Sequence, residues 1–163
     1  MKIFVSYRRQ DSAPYTGRLS EALAARYGPK SVFLDFSNIS PGEDFRTHVE
    51  AAVSQSDVVL AVIGPGWLDA GYRDGERRLD DPNDAVRSEL RTALALGKIV
   101  VPVLVGGAQV PPTNSLPNDI AALVNIAAVS VGHSTWNSDF SLLTRRLDGQ
   151  AGSQWTKWLP WRR

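Results

Sequence analysis

No cysteine occurs anywhere in the 163 residues. That absence excludes disulfides, thiolate nucleophiles and cysteine-ligated zinc, and it suits a reducing compartment. Neither sign of charge dominates, since 18 Lys and Arg face 17 Asp and Glu for a formal charge of +1. Such a balance leaves no electrostatic footprint for nucleic acid, and none is expected as a partner. Long apolar runs are missing too, and nothing approaches the roughly eighteen residues of a membrane span. The opening "MKIFVSYRR" has too short an apolar run for a secretory signal. A cytoplasmic location is the expectation. What the chain does have, at 43% hydrophobic residues, is enough for one ordinary domain with a full core.

Short β-branched or aromatic runs alternate with longer stretches of helical period. The strand candidates are "KIFVS" (2–6), "SVFLD" (31–35), "DVVLAVIG" (57–64), "KIVVPVLV" (98–105) and "NIAAVSV" (125–131). The third and fourth are nearly continuous apolar runs, as expected for strands covered on both faces of a parallel sheet. Between the strands, Tyr15, Leu19, Leu23 and Tyr27 stripe a first helix, capped by Asp11 or Ser12 and stopped by Gly28. Phe45, Val49, Ala52 and Val53 stripe a second. Asp80 or Asp81 before Pro82 opens a third, which Gly97 closes. "LPNDIAAL" (116–123) suits a short fourth, and Trp136, Phe140, Leu143 and Leu147 stripe a fifth.

Right-handed crossovers between such elements place helices on both faces of the sheet. The expected fold is therefore α/β, a doubly wound five-stranded parallel sheet of flavodoxin-like order 2-1-3-4-5. The domain is expected to span 1–148. Residues 149–163, "GQAGSQWTKWLPWRR", shift to small residues, then Trp155, Trp158 and Trp161 among Lys and Arg. That tail reads either as the start of a linker or juxtamembrane segment, or as a basic appendage docking on its own domain. Membrane contact is expected only if a longer chain continues past residue 163.

Ligands in doubly wound sheets bind beyond the carboxyl ends of the strands, where strand order reverses. The loops there are "SYRRQDS", "DFSNISPGEDF" and "GPGWLDAGYRDGERRLDDPND". They contain no P-loop, no Gly-x-Gly-x-x-Gly after the first strand and no Gly-x-Ser-x-Gly elbow. Two arginines stand where a phosphoaccepting receiver would carry acids, and metal ligands of zinc spacing are missing. What remains is Arg8 and Arg9 at the expected mouth, suited to phosphate oxygens or simply exposed loop residues. Phe36 and Trp67 also fall in loops; Trp67 reads equally as a stacking platform or as a core anchor.

Taken in order, "FVSYRRQDS", "VFLDFSNISPGEDF", "DVVLAVIGPGWLD" and "VRSELRTALALGKIVVPVLV" resemble a bacterial Toll/interleukin receptor (TIR) domain of the NAD-cleaving type. The resemblance implies cleavage of NAD at the nicotinamide–ribose bond, giving nicotinamide and ADP-ribose or a cyclic ADP-ribose. NAD is then the substrate, and no cofactor or metal is needed. The catalytic glutamate of the family maps to Glu89. Substrate contacts are expected from Ser6, Tyr7, Arg8, Arg9, Asp35, Phe36 and Trp67. The resemblance also implies self-association through TIR–TIR contacts involving loop 36–44, and a role in bacterial defence or signalling. Other members act as adaptors without chemistry, which is the alternative reading. One departure stands out: several NAD-cleaving members carry Trp four residues before the glutamate, where this chain has Ala85.

Glu89 is the awkward member of its helix. It falls between Val86, Leu90 and Ala93, on the shoulder of an apolar stripe where a carboxylate is costly to desolvate. Taken alone it reads as a solvated residue paired with Arg87 or Arg91. Facing a substrate, one carboxylate would suffice. Ordinary glycosidases need a second carboxyl group to protonate a poor leaving group. Nicotinamide in NAD is already a cationic pyridinium and departs neutral, so only the cationic sugar needs stabilising.

Overall fold

The computed structural model describes residues 1–34 and 45–156, with side chains at 1–34 and 47–150. Five parallel strands form one sheet: β1 (Ile3–Ser6), β2 (Val32–Leu34), β3 (Val58–Ile63), β4 (Ile99–Val105) and β5 (Val129–Val131). Their order is β2-β1-β3-β4-β5, as the alternation of elements predicts. The chain leaves β1 for the β2 edge and then crosses back to β3, so strand order reverses at β1. Ser6 pairs with Ala61 there, at the carboxyl end of β1.

Four helices cover the two faces: α1 (Arg9–Tyr27), α2 (Phe45–Gln55), α3 (Ala85–Ala95) and α4 (Trp136–Thr156). Period-two alternation along the strands sorts the core into two layers. Phe4, Val59, Ala61 and Ile63 turn toward α2 and α3, packing with Val49, Val53, Val86, Leu90 and Ala93. Ile3, Val5, Leu60 and Val62 turn the other way, against Leu19 and Leu23 of α1 and Leu143 and Leu147 of α4. All six residues of β3 are buried, which explains why its sequence is an unbroken apolar run rather than an alternating one.

Helix ends follow local chemistry, with three departures from expectation. α1 opens at Arg9 behind Arg8, whose side chain makes no capping bond, rather than behind Asp11 or Ser12. Gly28 and Gly97 stop α1 and α3 at positive φ, 98° and 63°, where a side chain would be strained. α3, however, opens at Asp84, whose carboxylate accepts from the Arg87 N–H; Asp80 and Asp81 belong instead to a preceding 3-10 turn and its exit. The stretch 116–123 does not form an α-helix; a 3-10 segment follows at Ala121–Asn125 and shortens the fifth strand to three residues. So brief a segment gains too few bonds to offset helix nucleation. α4 runs on through Gly149 to Thr156, so a helix crosses the boundary expected at 148. Among the described residues no helix is long and apolar enough to cross a membrane.

Candidate functional site

The first turn after β1 and the start of α3 meet at the carboxyl edge of the sheet. They enclose a cavity of about 320 Å³ lined by Tyr7, Arg8, Arg9, Gln10, Arg78, Ala85, Val86 and Glu89. That volume sits at the lower end of the usual range for small-molecule sites. Glu89 is only 3% exposed, one helical turn beyond Ala85 on the wall of this cavity. The two arginines that flank it in sequence are engaged elsewhere. Arg87 donates Nε to both oxygens of Asp119 at 3.1 Å and Nη1 to the carbonyls of Leu79 and Asp80. Arg91 reaches the Pro82 carbonyl and Ser88 Oγ, with Asp119 3.6 Å away. At this burial Glu89 is not the solvated helix residue that its sequence neighbours suggest.

Arg8 does not present its fork to solvent. Its Nη1 and Nη2 donate to Asp84 Oδ1 and Oδ2 at 2.9 and 2.8 Å, and its Nε donates to the Trp67 carbonyl at 3.2 Å. Both partners of this ion pair are buried. Bidentate geometry and the extra hydrogen bonds are what allow two charges to sit out of water. Arg8 thus lines the cavity with its guanidinium already bound to a carboxylate. Trp67 is fully buried in the layer under α3, with the Arg8 guanidinium 5.9 Å from its ring centre. Of the two roles open to it from the sequence, this burial matches the core anchor. Its indole Nε1 and the buried Ser6 Oγ make no hydrogen bond among the described residues.

Tyr7, Arg8, Arg9 and Glu89 are brought together at the cavity, whereas Ser6 and Trp67 are buried and do not line it. Asp35, Phe36 and the loop 36–44 lie outside the described residues.

Two residues that the sequence reading did not name, Asp84 and Arg78, organise the site together with Asp11, which it named only as a helix cap. Asp84 accepts from Arg8, from Arg78 Nε at 3.2 Å and from the Arg87 N–H at 3.0 Å, so it caps α3 and gathers two guanidinium groups at once. The signal was present, an Asp directly before the helical stripe, but Pro82 drew the expected start three or four residues early. Arg78 comes from the 3-10 turn Arg78–Asp80 and stacks over Tyr72 with 5.3 Å to the ring centre. Burial pushes the Tyr72 phenol above its ordinary range, and the hydrogen bond it donates to Asp81 at 2.9 Å adds to this. Asp11, expected as a cap, instead spans to the loop after β3, accepting from Gly64 N at 2.9 Å and Gly66 N at 2.8 Å. A Cβ at Gly64 would stand 2.5 Å from the Asp11 carboxylate, so only glycine admits this brace.

Among the described residues no group of His, Asp and Glu is gathered to hold a metal ion. Chemically the arrangement offers one buried carboxylate facing a cavity with cationic arginines at its rim.

Comparison with solved structures agrees with the fold. The chain matches the TIR domains of the activated Roq1 resistosome, which directly recognises the pathogen effector XopQ, with a TM-score of 0.60 and 16% identity over 92% of this chain and 98% of that one. A metazoan TIR-STING receptor from C. gigas, solved in complex with 2',3'-cGAMP, matches with a TM-score of 0.55 and 16% identity. That match covers 85% of this chain and 38% of the receptor chain. Across residues 3–144 the sequence fits the family model described as TIR domain. The chain therefore belongs to the TIR domain family.

Proposed function

We propose that this TIR domain hydrolyses NAD at the bond between nicotinamide and ribose. The observation that carries the reading is Glu89, a buried carboxylate on the wall of a cavity at the carboxyl edge of the sheet. In the reaction the C1′–N bond breaks and its electron pair leaves with nicotinamide, neutralising the pyridinium. The ribose becomes an oxocarbenium-like cation, whose charge an ionised Glu89 stabilises at short range. Water then adds at C1′ and releases a proton, giving ADP-ribose; attack by an adenine nitrogen would give a cyclic product instead. Burial strengthens the interaction because a low local dielectric screens charge poorly.

The testing experiment incubates purified protein with NAD at high protein concentration and follows nicotinamide and ADP-ribose by chromatography. Glu89→Gln is run beside the wild type. Release of nicotinamide by the wild type and its loss in the variant support the proposal. Equal release from both proteins, or none from either, overturns it.

A second reading, a non-enzymatic module that acts through TIR–TIR contacts, is favoured by one observation. On the edge strand β2, which leads into loop 36–44, Phe33 and Leu34 are 36% and 44% exposed. Exposed apolar side chains beside an open edge suit association. Absence of turnover together with concentration-dependent self-association would select it.

A further inference from the structure

We infer that Arg78 is the residue that recognises the diphosphate of the substrate, an inference that rests on the NAD-cleaving reading and deepens it. The sequence offers Arg8 and Arg9 for phosphate oxygens. The structure removes the first of these from the fork-presenting role, because both Nη groups of Arg8 are spent on Asp84. Arg78, from a loop 70 positions further along, enters the same cavity wall as Glu89.

Its presentation differs from that of Arg8 in the way that matters. Only Nε of Arg78 engages Asp84, at 3.2 Å. The side chain is 30% exposed, against 2% for Arg8, and among the described residues no hydrogen bond is recorded for its Nη groups. A guanidinium held through Nε, with its two Nη groups left for a ligand, is the form that binds phosphate oxygens bidentately.

The mount is rigid. The Arg78 N–H donates to the Ala70 carbonyl at 2.8 Å, and its neighbour Leu79 is fully buried. The Leu79 and Asp80 carbonyls both accept from Arg87, a residue of the same helix as Glu89. The Tyr72 ring supports the guanidinium plane from one side. Arg78 and Glu89 are thus positioned by one set of bonds, which fixes an anion-binding fork relative to the carboxylate that faces the sugar. Preorganisation of this kind lowers the cost of ordering a long side chain on binding.

Charge beside the cavity agrees. The single Asp84 carboxylate accepts from two guanidinium groups, those of Arg8 and Arg78, so this cluster keeps a net positive charge for the anionic half of the ligand. The inferred specificity is for nicotinamide riboside bearing a diphosphate over nicotinamide riboside alone.

The test compares wild type with Arg78→Gln, which removes the charge but keeps a donor for Asp84. KM and kcat are measured for NAD and for nicotinamide riboside, and calorimetry measures ADP-ribose binding without turnover. The expected result is a rise of about 10- to 100-fold in KM for NAD, the size of a lost charge-assisted contact. KM for nicotinamide riboside and kcat for NAD should stay within a few-fold, and ADP-ribose affinity should fall with the NAD value. Equal losses on both substrates would show that Arg78 only supports Asp84 and α3, and an unchanged KM for NAD would remove it from the site; either overturns the inference while leaving the cleavage reading intact. A wild type that neither cleaves NAD nor binds ADP-ribose overturns both.

Discussion

Arg8 and Asp84, separated by 76 positions in the chain, meet fork to fork inside the fold with both nitrogen–oxygen distances below 3 Å. The pair ties the turn after β1 to the N-cap of α3, and Glu89 rides on that helix. Removing one partner leaves the other charge buried and uncompensated. Asp84→Ala is expected to lose about 3–5 kcal/mol from this cause, with the lost helix cap included in the effect. Asp84→Asn keeps a capping oxygen and should lose less. Urea unfolding measures both; a loss below about 1 kcal/mol in the alanine variant, the level of an exposed pair, would contradict the buried pairing.

Glu89 is expected to matter for turnover far more than for folding. Removal of one preorganised stabilising group from a transition state typically lowers kcat by about 100- to 1,000-fold. Glu89→Gln preserves shape and takes away only the charge, so the loss should appear in kcat with little change in KM. Circular dichroism and urea midpoint for the variant should track the wild type. A variant with wild-type kcat would place the chemistry on another group.

The brace between Asp11 and the loop after β3 predicts a coupled pair of substitutions. Gly64→Ala would set its methyl group 2.5 Å from Asp11 Oδ2, and the carboxylate must then give up its bonds to Gly64 and Gly66. The expected cost is about 2–4 kcal/mol, from two charge-assisted bonds and the strain of the displaced side chain. In an Asp11→Ala background the obstacle is gone, so the same Gly64→Ala change should cost clearly less than it does in the wild type. A double-mutant cycle reads the difference, and additive losses would show that the contact is not the cause.

Acid should weaken the packing of α1 on α4 and the start of α4. The Asp148 carboxyl lies below its ordinary range because Arg26 donates to it, followed by Tyr27 at 2.9 Å. Asp139 is lowered by the Thr135 hydroxyl and then by the Gly132 N–H. Folded values below the unfolded one mean that the unfolded chain binds protons first as pH falls. The contribution is therefore complete above the unfolded carboxylate value of about 4 and is lost as pH drops through the folded values. Urea midpoints should be flat from neutral to about pH 5 and fall below about pH 4, more shallowly in Asp148→Asn. The Arg26 and Asp148 side chains are about half exposed, so added salt should weaken their part of the effect.

The sheet order was legible because β3 and β4 are unbroken apolar runs, and such runs belong to covered parallel strands. Glu89 was legible as a carboxylate out of place on an apolar stripe. Its burial was not, because that depends on where Arg87 and Arg91 turn, and both turn to Asp119 on a distant segment. The fate of Arg8 was hidden for the same reason: its partner is set by topology rather than by local pattern. Asp84 was obscured by a local rule that applied one turn too early, since Pro82 satisfies the preference for a helix start without being one. Trp67 looked like a loop residue because it follows Gly66 in a turn, yet the turn folds its ring inward under α3.

Ala85 stands where the resemblance read from the sequence leads one to expect Trp, and it lines the cavity one turn before Glu89. Ala85→Trp would add a ring face beside the nicotinamide. Stacking of a base on an aromatic side chain contributes about 1–3 kcal/mol, so KM for NAD should fall by roughly 5- to 100-fold. The rate constant should not rise with it. A ring over the pyridinium attracts its positive charge most strongly before the bond breaks, and that attraction fades as nicotinamide becomes neutral. The ground state gains more than the transition state, so kcat should hold or decline slightly. Steady-state kinetics of the variant separate the two effects. An increase in KM would mean that the indole occupies the cavity instead of walling it.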